Sequence, residues 1–265
     1  MELYHLQRRK ADIVVNSRDK YFYPEFSLKV GNLIFTEGIS LDYYSSKKAM
    51  SDWMHIRFTD KLHKTMGFQP MQKVTFEFGY SGKLEQIFSG YIDRIGQSGA
   101  EVICKDAMLK LQKQKLTELY LSVSQEEYLK TLLGQAGVKI GTIQAQGKFR
   151  KDKVMIENIT YAEAVQRANT LWKTNSFFYF DSKEQFYFNS PKPQKEQYLF
   201  KYGESILNCT KHQNMYELEV IPVHVDYTNK ITVDHSDCSG TFEVLEVRFH
   251  VTDRGFPKMF LYFEE

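Results

Sequence analysis

The run VTFEFGYSGKLEQIFSGYIDRIGQSGAEVICKDAMLKL, residues 74–111, constrains the fold more than any other part of the chain. Val74, Phe76, Phe78 and Tyr80 recur at period two, so they share one face of a strand while Thr75 and Glu77 take the other. Ser81-Gly82-Lys83 supplies turn chemistry, and residues 84–92 resume the alternation, which predicts a hairpin. Gln97-Ser98-Gly99 reverses the chain again into residues 101–105, and Asp106 then stands at the N-cap position of a helix beginning with Ala107 and Met108. Three antiparallel strands closing on a capped helix form one local folding unit.

The rest of the first 115 residues follows the same grammar. A strand is expected at 11–15, and Gly31-Asn32 separates residues 26–30 from 33–35 as a second hairpin. Residues 39–44 alternate, and in 51–59 the side chains of Met54, Ile56 and Phe58 share a buried face opposite His55 and Arg57. About seven short strands with tight turns predict a barrel or sandwich. A content of 20 Phe and 17 Tyr in 265 residues agrees, because flat rings suit a half-buried pleated surface.

The period then changes to 3.6. Ser124 with Glu127, and Thr160 with Glu163, each form a capping box. The first opens a helix with the stripe Tyr128, Leu129, Leu132, Leu133 and Ala136, ended by Gly137, and the second opens one with Ala164, Val165, Ala168, Leu171 and Trp172 on one face. From residue 176 strands return, beginning with an aromatic hairpin around Ser182-Lys183-Glu184 that Pro191 and Pro193 close. The expected fold class is mainly β with an α/β insert (α+β): a first β-barrel domain at 1–115, an α/β insert with two capped helices at 116–175, and a second β-barrel domain at 176–265.

A formal net charge of +2 is too small to imply a nucleic-acid or membrane partner, and the basic run Lys105, Lys110, Lys113 and Lys115 reads as a solvated helix face. No window approaches eighteen apolar residues and no signal-peptide pattern opens the chain, so no membrane insertion by this chain is expected. Three cysteines have the wrong parity for a disulfide framework and fit a reducing compartment.

No nucleophile elbow, phosphate loop, H-E-x-x-H or dinucleotide glycine pattern occurs, so no catalytic residue and no cofactor is assigned and the chain is read as a non-enzyme. Cys209, His212, His235 and Cys238 together would offer two thiolates and two imidazoles to zinc. Residues three apart on a strand point to opposite faces, however, and each pair would need a tight knuckle to aim at one ion, so the expectation is no metal. His5, His55, His63, His224 and His250 read as core or face residues, and the aromatic strands between Phe177 and Phe188 as core rather than as a base-stacking platform.

The order of parts resembles the baseplate hub proteins of phage tails and related contractile injection systems, a group that includes the N-terminal region of siphophage tail-associated proteins. The resemblance is carried by ISLDYY and SDWMHIRFT, by F-x-G-x-I-D at Phe88, Gly90, Ile92 and Asp93, by EVICKDAMLKL, by the helix at 128–136, by FFYFDSKEQFYFNSP and by the ending VLEVRFHVTDRGFPKMFLYF. It implies two β-barrels with an inserted α/β part and a homotrimeric ring, a symmetry adaptor between sixfold tail tube and threefold central spike in a phage, tailocin or injection device. Implied partners are the tail tube and spike proteins, baseplate wedge or distal tail proteins, and the tape measure protein. The implied location is the tail baseplate of a virion or injection particle assembled in the bacterial cytoplasm. Because the sequence ends soon after the second β set, with no spike, lysozyme or peptidase domain, puncture and wall cleavage are expected of a partner. Two other readings stay open: a carbohydrate- or nucleic-acid-binding β-barrel protein, and a cell-wall hydrolase.

Overall fold

Alternating apolar residues build most of this molecule, and they build it as one large sheet. The computed structural model describes residues 23–59 and 66–264; the strand expected at 11–15, and His5 and His63, lie outside them. The first part comprises β1 (Pro24–Val30), β2 (Leu33–Phe35), β3 (Ile39–Ser46), β4 (Trp53–Phe58), β5 (Lys73–Tyr80), β6 (Lys83–Ile95), β7 (Glu101–Asp106) and α1 (Met108–Lys113). The middle comprises β8 (Lys115–Val123), α2 (Gln125–Gln135), β9 (Lys139–Ile143), β10 (Lys151–Thr160) and α3 (Tyr161–Trp172). The last part comprises β11 (Phe178–Phe180), β12 (Gln185–Phe188), β13 (Tyr198–Lys201), β14 (Ile206–His212), β15 (Met215–Val220), β16 (Lys230–Asp234), β17 (Ser239–Glu243), β18 (Glu246–Val251) and β19 (Pro257–Glu264). The fold is mainly β with a few helices, as the sequence predicts. No described helix is long and apolar enough to cross a membrane.

Eleven strands form a curled half-barrel sheet in the order β14-β15-β19-β18-β3-β4-β7-β6-β5-β1-β2. The N- and C-terminal β sets, expected as two barrels, meet through the antiparallel pair β3–β18, in which Tyr44 faces Arg248 and Leu41 faces Val251. They share one apolar core: Leu41, Ile56 and Val74 from one set and Leu218, Val251 and Leu261 from the other are fully buried in the same cluster. A three-stranded sheet, β13-β16-β17, lies beside the C-terminal set and contributes Phe200, Ile231 and Val233 to that core.

The middle segment has its own core, in which Tyr128, Leu132, Val165 and Trp172 are buried. Both capping boxes are present as expected, with Ser124 and Thr160 accepting from the backbone of Glu127 and Glu163. Helix α2 ends as its sequence requires. Gly137 takes φ +69°, its N–H donates to Gly134 O at 3.0 Å, and Val138 N–H donates to Leu133 O at 2.9 Å, a complete Schellman motif.

Two assignments move. The aromatic hairpin β11–β12, placed by sequence at the start of the last third, pairs through β12 in parallel with β9 and sends Phe178, Phe180, Phe186 and Phe188 into the helical core. Alternation fixes which of its faces is buried but says nothing about the partner. Strand β8 lies in the interval read as leading directly into a helix. Its buried residues are Leu116, Tyr120 and Val123, at spacings that imitate a helical face, and Ser122 at φ +46° breaks the regular pleat.

Asp106 sits one residue ahead of the N-cap, which is Ala107, and its role is wider than capping. Its Oδ1 accepts the Met108 N–H at 2.9 Å while Oδ2 accepts the Asp52 N–H at 3.1 Å, tying the helix start to the lead into β4. Cys104 is fully buried in the sheet core, as its place in a strand predicts, and burial raises its thiol pKa.

Candidate functional site

A buried charged cluster lies where three segments meet: the N-terminal β set, the exit of the aromatic hairpin, and the connection between β15 and β16. Lys192 stands between Pro191 and Pro193, whose fixed φ holds the backbone extended as it leaves the aromatic hairpin. Its side chain is only 7% exposed. Nζ donates to Asp226 Oδ1 at 2.8 Å, to Asp52 Oδ2 at 3.2 Å and to Ser45 Oγ at 3.2 Å, and lies 3.9 Å from the centre of the Tyr227 ring. Ser45 and Asp52 belong to the N-terminal β set, and Asp226 lies in the connection between β15 and β16. One ammonium thus clasps all three segments, and it borders a cleft of about 570 Å³ that also reaches Asp106 and His224.

Three carboxylates, Asp52, Asp106 and Asp226, surround this single cation. Burial works against the Lys192 charge, but Asp226 and Asp52 outweigh it and hold the ammonium above its ordinary pKa. Burial, reinforced by the charge of Asp52, pushes Asp106 up to about 8. The cluster therefore keeps a proton near neutrality. Since the folded pKa exceeds the unfolded value, the stability from this proton is fully present below the unfolded carboxylate range and is lost as pH rises through about 8. Asp106→Asn, neutral at every pH, is expected to lose less stability than the parent between pH 5 and pH 9. Urea unfolding at both pH values checks this, and equal losses in the two proteins would remove Asp106 as the titrating group.

A second junction uses the basic run. Asp93, the acid of F-x-G-x-I-D, lies within 3.2 Å of both Lys105 and Lys113. Glu184, in the turn of the aromatic hairpin, receives Lys73, Lys110 at 2.7 Å and the Tyr91 hydroxyl at 2.6 Å. Burial raises the Glu184 pKa, but the bonds from Lys110, Lys73 and Tyr91 prevail and bring it to about 2. Lys105 and Lys113 thus pair with Asp93 within the N-terminal set and Lys110 ties that set to the hairpin, while Lys110 and Lys113 remain 42% and 53% exposed on the solvated face the sequence suggested. The rings of Phe178, Phe180, Phe186 and Phe188 are buried, so they offer no stacking platform for bases.

The outer face of the sheet carries a groove of about 640 Å³ over the β3–β18 seam. Tyr44 and Trp53 stack with centroids 5.3 Å apart, and the Arg248 guanidinium lies 5.6 Å from the Tyr44 ring and 4.8 Å from the Tyr262 ring. Trp, Tyr and Arg are the side chains that concentrate binding energy at protein interfaces. The sheet ends in β2 and β14, where Ile34 is 64% exposed and Leu207 62% exposed. An edge strand with exposed apolar residues is a template for pairing.

Of the four residues weighed for zinc, the fold gathers three. Ligand atoms of Cys209, His235 and Cys238 lie within 4.8 Å of one another, whereas His212, exposed at the end of β14, stands outside the group. Cys209 and His212 lie three residues apart in β14 and do not come together, whereas residues 235–238 form a tight knuckle between β16 and β17 of the kind the pair His235 and Cys238 would need.

No protein-family model matches this sequence, and no curated protein matches it. Solved structures do. The 43 kDa tail protein of prophage MuSo2 from Shewanella oneidensis superposes with a TM-score of 0.67 at 11% identity, covering 91% of this chain and 97% of that one. A tail protein from Neisseria meningitidis MC58 gives 0.65 at 10% identity over 92% and 97%. The c3393 protein of E. coli, a type VI secretion component described as similar to the T4 tail proteins gp27 and gp5, gives 0.63 at 13% identity over 90% and 76%. Over nine-tenths of its length, this chain shares the fold of these tail proteins.

Proposed function

We propose that this protein is a structural hub subunit of a tail baseplate or a related injection device, acting as a homotrimeric ring between tail tube and spike. The observation that carries this reading is the shared fold over nearly the whole of two tail proteins, one of them from a prophage, with one gp27-like secretion component among the similar structures. Two β sets per chain, joined through β3 and β18, would give six similar units in a trimer, matching a sixfold tube above while leaving threefold symmetry below. The Tyr44, Trp53 and Arg248 groove and the edge strands β2 and β14 are the surfaces this reading assigns to contacts between subunits and with tube, spike, wedge or distal tail, and tape measure proteins. The 116–175 segment acts as an insert, and the hairpin β11–β12 packed on it is braced against the sheet by Glu184 in its turn and Lys192 just after it. The particle, assembled in the bacterial cytoplasm, is the working location.

The test is sedimentation of the purified chain, alone and with tube or spike protein, together with electron microscopy of assembled particles. A trimer and a threefold ring containing this chain are the expected results. A chain that stays monomeric with both partners and is missing from the ring overturns the reading. Measurable affinity of such a monomer for oligosaccharide or nucleic acid would favour a binding barrel, and turnover of peptidoglycan a hydrolase.

A further inference from the structure

The Cys209, His235 and Cys238 cluster lies away from the clasp and the outer groove, between the edge strand β14 and the turn after β16. Its geometry is that of a ligand set. The two sulfur atoms are 3.6 Å apart, too far for a disulfide. Two thiolates at about 2.3 Å from a tetrahedral zinc ion would stand about 3.8 Å apart, close to the separation present. The imidazole reaches the same point from the knuckle, and its side chain is only 8% exposed.

The knuckle is held in shape independently of any ion. Ser239 Oγ donates to His235 O at 2.8 Å and the Tyr216 hydroxyl donates to Asp237 O at 3.1 Å, whereas the Asp237 N–H that donates to His235 Nδ1 at 3.1 Å engages the ring's one lone pair and would be released when the imidazole turns it to an ion. The Tyr202 ring meets the imidazole edge-on with centroids 5.0 Å apart, restraining its rotation. Cys209 approaches from β14, the last strand of the large sheet, and Cys238 from the turn that crosses over it. The set therefore comes from two separate elements already packed together, so closing on an ion requires little chain ordering.

We propose that Cys209, His235 and Cys238 form a zinc site that clips the β16–β17 turn onto the edge strand β14, with solvent or a further side chain completing four-coordination. Two thiolates and a neutral imidazole exactly offset the charge of a divalent ion, which suits a partly buried position, and sulfur with nitrogen ligands selects zinc over magnesium or calcium. As the ion enters, two thiol protons leave to solvent, so binding weakens on acidification.

The test is metal content by mass spectrometry and titration of the reduced, metal-free full chain with Co²⁺. One zinc per chain, and a cobalt spectrum with thiolate charge-transfer and intense tetrahedral d–d bands, are expected. Cys209→Ser, Cys238→Ser and His235→Asn should each bring metal content to background with the circular dichroism of the fold retained, while His212→Asn keeps it. Absence of thiolate–cobalt bands in the folded parent overturns the proposal, as does equal loss in His212→Asn, or a 209–238 disulfide in protein isolated under reducing conditions. None of these outcomes depends on trimer formation, so the site and the hub reading can fail separately.

Discussion

Lys192→Met is expected to destabilise the protein by roughly 3–5 kcal/mol, the usual consequence of removing one partner from a buried ion pair. The reason is what remains. Asp52 and Asp106 are buried, with 7% and 4% exposure, and Asp226 opens only partly to solvent, so the carboxylates lose the single cation in their midst. The methionine fills the space beneath the Tyr227 ring but cannot donate to Ser45, Asp52 or Asp226. Adding Asp52→Asn to Lys192→Met should recover part of the loss, because the two residues share one network and their effects are not additive. Urea unfolding of the parent and both variants decides this. A loss below about 1 kcal/mol for Lys192→Met would show that the clasp is tuned to near neutrality and does not hold the three segments together.

The clasp also shows where sequence reading reaches its limit. Lysine is almost never buried unless paired. Its partners here come from 140 and 34 residues away along the chain. Nothing local to Pro191-Lys192-Pro193 announces them, although a lysine between two prolines has an unusually fixed backbone from which to aim. By contrast, the capping boxes at Ser124 and Thr160, the Schellman glycine and the buried face of Met54, Ile56 and Phe58 were legible, because each is decided within a few residues by hydrogen bonding or alternation. The zinc ligands fall between these cases. Alternation along β14 bears on Cys209 and His212 alone, and it cannot foresee that the 235–238 turn carries His235 and Cys238 to β14. Pairing partners were the recurrent blind spot: strand periodicity predicted β3 and β18 separately, and only the fold shows that they hydrogen-bond to one another and merge two β sets into one sheet. That merger has a mechanical consequence. A continuous sheet with one core transmits load as a single body, whereas two tethered barrels would rotate against each other.

Gly90→Ala should cost about 3 kcal/mol, the upper end of the range for overpacking, although it adds only one methyl group. Gly90 is not among the residues with positive φ, so its requirement is for space. It lies in β6 opposite Val74 on one side and Asp106 on the other. A Cβ there would stand 2.1 Å from the Lys105 carbonyl oxygen and 2.5 Å from Cζ of Phe88. The phenylalanine could rotate at some cost to its edge-on contact with Tyr43, but the carbonyl is backbone within β7 and cannot withdraw without opening the β6–β7 ladder. That ladder shifts register just beyond, between Ile92 and Arg94, and the shift brings Asp93 to Lys105 and Lys113. The spacing F-x-G-x-I-D thus has a physical content: Phe88 and Ile92 fill the core, Gly90 allows the neighbouring backbone to approach, and Asp93 anchors α1 beyond it. Gly82→Ala, at a turn where a Cβ meets nothing within 4 Å but φ is +75°, is the matched control and should cost only about 1 kcal/mol. If thermal and urea unfolding place Gly90→Ala no lower than Gly82→Ala, the close approach of β7 to β6 is not what the glycine serves.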